Sequence, residues 1–311
     1  MKTKQKRSVQ IFLMLMFFST ALFVSPAMWV SAADPGTLKV YVVNYPLKYL
    51  AQRIGGTNVT LFFPAPPDED PAYWTPDVRT ISDYQKADLI LLNGAGYAKW
   101  VSKVSLPRSK TIDTSKRFKN RYIHTEAVTH SHGSEGKHAH EDLAFTTWLD
   151  FDLAVMQAEA VLKAFTRKRP GKKDTLQQNY EKLKDDLIAL DKSIERIVSK
   201  EQTKPLIVSH PVYDYFARRY QLNIKSVHWE PDETPNKSQW VELKSILTNH
   251  KSKWMIWEGN PNQNTVKQLK LLGVDSLVFD PCGNVPEQGD FLSVMKQNVN
   301  NLEAVFDSKH N

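Results

Sequence analysis

The chain has 311 residues, 41% of them hydrophobic, which is enough for about two domains with cores of their own. Its formal charge is +7. Lys2, Lys4, Lys6 and Arg7 supply four of those charges, and the remaining surplus, with no basic stripe studded with aromatics, argues against a nucleic-acid partner.

Residues 1–32 read as an address for export. Lys2 to Arg7 form a positive start, Ile11 to Val24 an apolar stretch, and Val30-Ser31-Ala32 offers small residues for cleavage. An uncleaved N-terminal anchor is the alternative, although Ser19, Ser25 and Pro26 interrupt the run. No cysteine follows the cleavage position, so no lipid anchor is expected there. Export places the mature chain in the periplasm or another extracytoplasmic space. The single cysteine, Cys282, cannot form an intramolecular disulfide.

A first α/β lobe is expected over 33–173. Leu38 to Val43 is a continuous β-rich run suited to a covered parallel strand. Asn44 and Pro46 open a helix whose inner face is Leu47, Leu50, Ala51 and Ile54, and Gly55-Gly56 end it. Val59 to Phe63 is a strand, and Pro64 to Pro76, rich in proline and acid, is a loop. Thr80 to Ala87 is helical, and Leu89 to Leu92 is a strand ending at Asn93-Gly94. This order means a parallel sheet with right-handed crossovers, whose ligands lie beyond the carboxyl ends of the strands. The Pro64–Pro76 loop is such a position.

Residues 124–141 break the pattern. They hold His124, His130, His132, His138 and His140 with Glu126, Glu135 and Glu141 among small residues. This composition predicts a loop whose imidazoles can collect zinc, copper, nickel or iron without a preformed cage. A solvated polar loop is the alternative. Ala144 to Phe165 then reads as a helix, broken at Pro170-Gly171.

A long amphipathic helix is expected over 174–204. Leu176, Tyr180, Leu183, Leu187, Leu190, Ile194 and Ile197 fall on one stripe, Asp174 and Gln177 resemble a capping box, and Pro205 stops it. Roughly 26 residues would span about 40 Å, which suggests a rigid connector between two lobes. A long surface helix of one domain is the alternative.

The second lobe, 205–311, repeats the alternation. Strands are expected at Leu206–Val208, Ile224–Trp229, Trp254–Trp257 and Leu277–Phe279. Helices are expected at Val212–Tyr220, Trp240–Leu247, Thr265–Leu272 and Phe291–Val305. The acidic turn Glu230-Pro231-Asp232-Glu233 follows the second of these strands. His210, Glu258 and Asp280 each follow the end of a strand and would project from one sheet edge. One imidazole and two carboxylates make most of a transition-metal site. Serine-nucleophile and phosphate-cradling glycine patterns are absent.

These residues carry a resemblance. Asn44-Tyr45-Pro46-Leu47, Gln85-Lys86-Ala87-Asp88-Leu89 with Asn93-Gly94, Trp148-Leu149-Asp150, Ser209-His210 with Tyr215 to Tyr220, and Asp280-Pro281 resemble the zinc/manganese solute receptors of ABC importers. The resemblance covers essentially the whole mature chain. It implies two parallel-sheet lobes joined by one rigid helix, and four ligands converging between them. The third and fourth ligands fall on His210 and Asp280. The first two, both histidines in the family, fall on Ala72 and Thr146, which are poor zinc ligands. The His-rich loop, a carboxylate such as Asp68, Glu69 or Asp70, or a changed cargo would have to compensate.

The expectation is therefore an exported, monomeric binding protein without enzymatic activity, carrying Zn2+ or another divalent ion such as Mn2+ to an ABC permease. His210 and Asp280 would be ligands, Glu258 a third ligand or a partner orienting His210, and His130, His132, His138 and His140 an entry or replacement set. Two rivals stand beside it. One is an exported metal-dependent hydrolase. The other is a receptor of the same fold for an organic or chelated ligand, with Trp74, Trp229 and Trp257 lining the cleft.

Overall fold

The computed structural model describes residues 36–125 and 142–307. The first lobe holds β1 (Leu38–Val42), α1 (Tyr45–Gly55), β2 (Val59–Phe62), α2 (Val78–Lys86), β3 (Leu89–Leu92) and β4 (Thr111–Asp113). These strands form a parallel sheet in the order β2-β1-β3-β4. A short antiparallel pair, β5 (His124–Thr125) and β6 (Asp142–Leu143), follows, and then α3 (Phe151–Lys168). The connector is α4 (Lys173–Val198).

The second lobe holds β7 (Pro205–Val208), α5 (Asp214–Tyr220), β8 (Asn223–Ser226), α6 (Lys237–His250) and β9 (Trp254–Trp257). It ends with α7 (Gln263–Leu271), β10 (Asp275–Val278) and α8 (Phe291–Phe306). Its sheet is parallel, in the order β10-β9-β7-β8. The expected architecture of two parallel-sheet lobes and a long helix is what the chain adopts.

The local chemistry explains most boundaries. Asn44 caps α1, its side chain accepting from the Leu47 N–H at 3.1 Å, and Pro46 sits in the first turn, where no N–H is needed. Gly56 leaves the helix at φ +54°, a conformation costly for other residues. Asn236 and Asp290 close capping boxes on α6 and α8.

Three expectations need correction. Asp174 is not the cap of α4: the helix starts one residue earlier, and Gln177 bonds Glu181 (2.7 Å) on the next turn instead of reaching back. Nor does Pro205 stop it, because α4 ends at Val198 and Pro205 opens β7. Residues 144–150 are not part of the α-helix, and only Thr147–Leu149 make a short 3-10 turn before it. Asp150, nearly inaccessible, caps α3 through the Leu153 N–H (3.3 Å) and meets Arg121 and Arg218, so the helix starts only at Phe151. The strand β4 also lacks the apolar run that would announce it, since Thr111-Ile112-Asp113 is only half-buried at the sheet edge.

The predicted stripe of α4 is its buried face. Leu176, Tyr180, Leu183, Leu187, Leu190, Ile194 and Ile197 are all inaccessible or nearly so. They pack on α1 and α3 of the first lobe and on α8 and α5 of the second. Asp191, on the same helix, is held by the Arg219 guanidinium and the Tyr220 hydroxyl (2.8 Å). One helix therefore belongs to the cores of both lobes.

The lobes also meet directly. The Trp148 indole donates to the Pro281 carbonyl (2.8 Å), and the Tyr45 N–H donates to the Gly283 carbonyl (3.0 Å). Asn284 donates to the carbonyls of Pro66 (2.6 Å) and Glu69 (2.8 Å).

Candidate metal centre

The carboxyl edge of the second sheet carries the donors. His210 lies two residues past β7, Glu258 one past β9 and Asp280 two past β10. His210 sits beside two carboxylates, with Nδ1 3.9 Å from Glu258 and Nε2 3.7 Å from Glu230. These separations are longer than hydrogen bonds but within ion-pair range. The His228 ring stands edge-on to His210, with centroids 5.8 Å apart.

Two cavities open between the lobes. One, of about 520 Å³, is lined by Asp68, Glu69 and Asp70 of the first lobe and by Glu230, Glu258 and Asp280 of the second, over Tyr97 and Trp148. The other, of about 580 Å³, is lined by His124, His210, Asp214 and His228. Thr146 and Val212 line both. The Thr146 hydroxyl donates to the Val212 carbonyl at 2.6 Å and ties the lobes together at that point. Its loop is fixed from beneath, where the buried Asn93 amide donates to the Phe145 carbonyl (2.9 Å).

The carboxylates feel one another. Burial pushes Glu258 from the usual 4.5 up to about 7, and the charges of Glu230, Asp70 and Asp280 add to it. Burial also raises Glu230, helped by Glu233, Asp232 and Asp70. Asp280 is raised by burial, against the stabilising N–H of Cys282 (2.6 Å). Asp70 is likewise raised by burial, against the N–H of Ala72 (2.8 Å). Four acids that resist losing their protons around one cavity form a strongly cation-seeking field.

The expected residues are thus partly brought together. Glu258 stands between His210, which it approaches directly, and Asp280, with which it lines a wall. Among the described residues no three His, Cys, Asp or Glu side chains come close enough to hold one ion. His130, His132, His138 and His140 lie outside the described residues. Ala72 is fully buried and cannot donate, and Thr146 spends its hydroxyl on the opposite lobe.

Sequence reasoning missed the part played by Glu230. Its turn was visible as acidic, and its place after a parallel strand was the available signal. Asp70 is the first-lobe acid whose charge reaches Glu230 and Glu258. Trp229 and Trp257 do not line the cleft. Both are buried in the core of the second lobe with Leu243 and Met255, because flat indoles cover the face of the sheet under α6 and α7.

Known proteins resemble this arrangement. The zinc-binding lipoprotein AdcA of Streptococcus pneumoniae is 25% identical over 93% of this chain, which spans 60% of that relative's length. The manganese ABC transporter substrate-binding lipoprotein ScaA of Streptococcus gordonii is 24% identical, over 88% of this chain and 90% of its own. Among solved structures, the Zn(II)-bound ZnuA-like domain of Streptococcus pneumoniae AdcA superposes with a TM-score of 0.75 at 21% identity, over 88% of this chain and all of that one. At that identity the superposition speaks for the fold. The sequence profile of ZnuA, the periplasmic component A of the zinc-uptake complex, matches residues 40–305, and the chain belongs to that family.

Proposed function

We propose that this chain is the exported receptor of an ABC importer, which binds a divalent metal ion between its lobes and hands it to the membrane permease. The family consists of transport receptors, and no reaction is assigned to this chain. The cargo is zinc, with manganese as the near competitor. One imidazole amid carboxylates suits either ion. His210, Glu258 and Asp280 are the second-lobe ligands. Asp70 supplies the first-lobe donor in place of the imidazoles lost at Ala72 and Thr146. His130, His132, His138 and His140 capture the ion on its way in. The stretch 1–32 provides export.

The observation that carries this reading is the convergence of acids from both lobes, Asp70 opposite Glu258 and Asp280, on one cavity beside His210. The test is metal analysis of protein purified without an affinity tag, followed by zinc titration. About one zinc per chain, lost in His210→Ala and weakened in Asp70→Ala, is the expected result. A protein that arrives without metal and takes up none would refute it.

A further inference from the structure

Asp280 sits where its strand has no neighbour on one side. β10 is an edge strand, and β9 lies on its inner flank, where the Phe279 N–H donates to the Trp257 carbonyl (2.8 Å). On the outer flank, side chains of α8 take the place of a strand. The Asn301 amide donates to the Val278 carbonyl (2.9 Å). Asn298 goes further and meets both backbone groups of Asp280. Its Oδ1 accepts from the Asp280 N–H (3.0 Å), and its Nδ2 donates to the Asp280 carbonyl (2.7 Å). Positions 298 and 301 share a helix face, so one helix edge continues the ladder. Asn298 is buried, which makes the pair of bonds costly to break.

The Asp280 side chain is then held at one oxygen. Its Oδ1 accepts from the Cys282 N–H (2.6 Å), in a turn where Cys282 adopts φ +57°. Backbone and Oδ1 are thereby fixed, and Oδ2 is the carboxylate oxygen that those bonds do not hold.

We infer that Asn298 is the positioning residue of the metal site. Its bidentate amide clamp aims Asp280 at the cargo and joins that ligand to α8, which packs on the connector α4. This rests on the reading of Asp280 as a ligand. A ligand aimed by its supports binds more tightly than one that must be ordered by the ion.

The test is a double-mutant cycle in zinc affinity on the full chain, with Asn298→Ala, Asp280→Ala and the double variant. Asn298→Ala should weaken binding about tenfold and should have no further effect once Asp280 is gone. The absorption spectrum of bound Co2+ should change in Asn298→Ala, as expected for an altered ligand geometry. Asn298→Asp keeps the acceptor for the Asp280 N–H while setting an oxygen against its carbonyl. It gives a second cycle if the alanine variant folds poorly. Wild-type affinity in both Asn298 variants, or a loss that persists unchanged without Asp280, would overturn the inference while leaving Asp280 a ligand. Unchanged affinity in Asp280→Ala would remove the ligand reading and the inference together.

Discussion

Glu258 shows how the site trades stability for cation affinity. Its carboxyl titrates at about 7 in the folded chain, against 4.5 ordinarily, so the folded state holds this proton more tightly than the unfolded one. Below about 4.5 both states are protonated and the group contributes nothing. Between about 4.5 and 7 the unfolded state gives up this proton while the folded state keeps it, so the metal-free protein loses stability as pH rises, and the loss is complete once pH has passed 7. The loss is on the order of 3 kcal/mol. Urea denaturation of metal-free protein should show that decline between about pH 4.5 and 7 with a plateau above, and Glu258→Gln should flatten it. Metal affinity should run the other way and weaken on acidification, because ligating carboxylates and imidazoles must give up their protons. His210→Ala and Asp280→Ala should each lower zinc affinity by tenfold or more, and calorimetric titration reads both. Unchanged affinity in both would move the site elsewhere.

At the scale of elements, α4 packs into the cores of both lobes. Leu187, fully buried on its inner stripe, should cost about 2–5 kcal/mol when cut to alanine. Leu271 on α7, 88% exposed, should cost less than about 0.5 kcal/mol. Chemical denaturation of the two variants makes the comparison. That stripe was legible because seven apolar residues repeat at helical spacing, and the strand ends that carry His210, Glu258 and Asp280 were legible because apolar runs stop there. Helix ends were not: Asp174 looks like a cap but lies inside α4, whereas Asp150, which caps α3, falls in the middle of an apolar-rich run and is held there by tertiary pairing with Arg121 and Arg218. The fates of Trp229 and Trp257 were hidden for the same reason: alternation along a strand does not say which face a helix will cover. Removal of residues 130–140 should lower zinc affinity about tenfold if their histidines hold the ion. A slower uptake at unchanged affinity would make them collectors only.

For the whole molecule, the connector and the contacts between lobes predict little movement. α4 runs from Lys173 to Val198 with no glycine or proline inside it to kink. Rotating the lobes apart would expose its stripe at about 25 cal/mol per Å². It would also break the bonds of Thr146, Trp148 and Asn284 across the cleft. Small-angle scattering with and without zinc should give nearly the same radius of gyration, and a contraction of several ångströms would refute the rigid connector. The central claim is that cargo binds between the lobes on donors from both. A crystal of the zinc-loaded protein measured at the zinc absorption edge tests this most directly. One anomalous peak in the cavity lined by Asp70, Glu258 and Asp280, on the side where His210 approaches Glu258, is the predicted result. A peak held outside that cavity, or no peak in a zinc-saturated crystal, would contradict it.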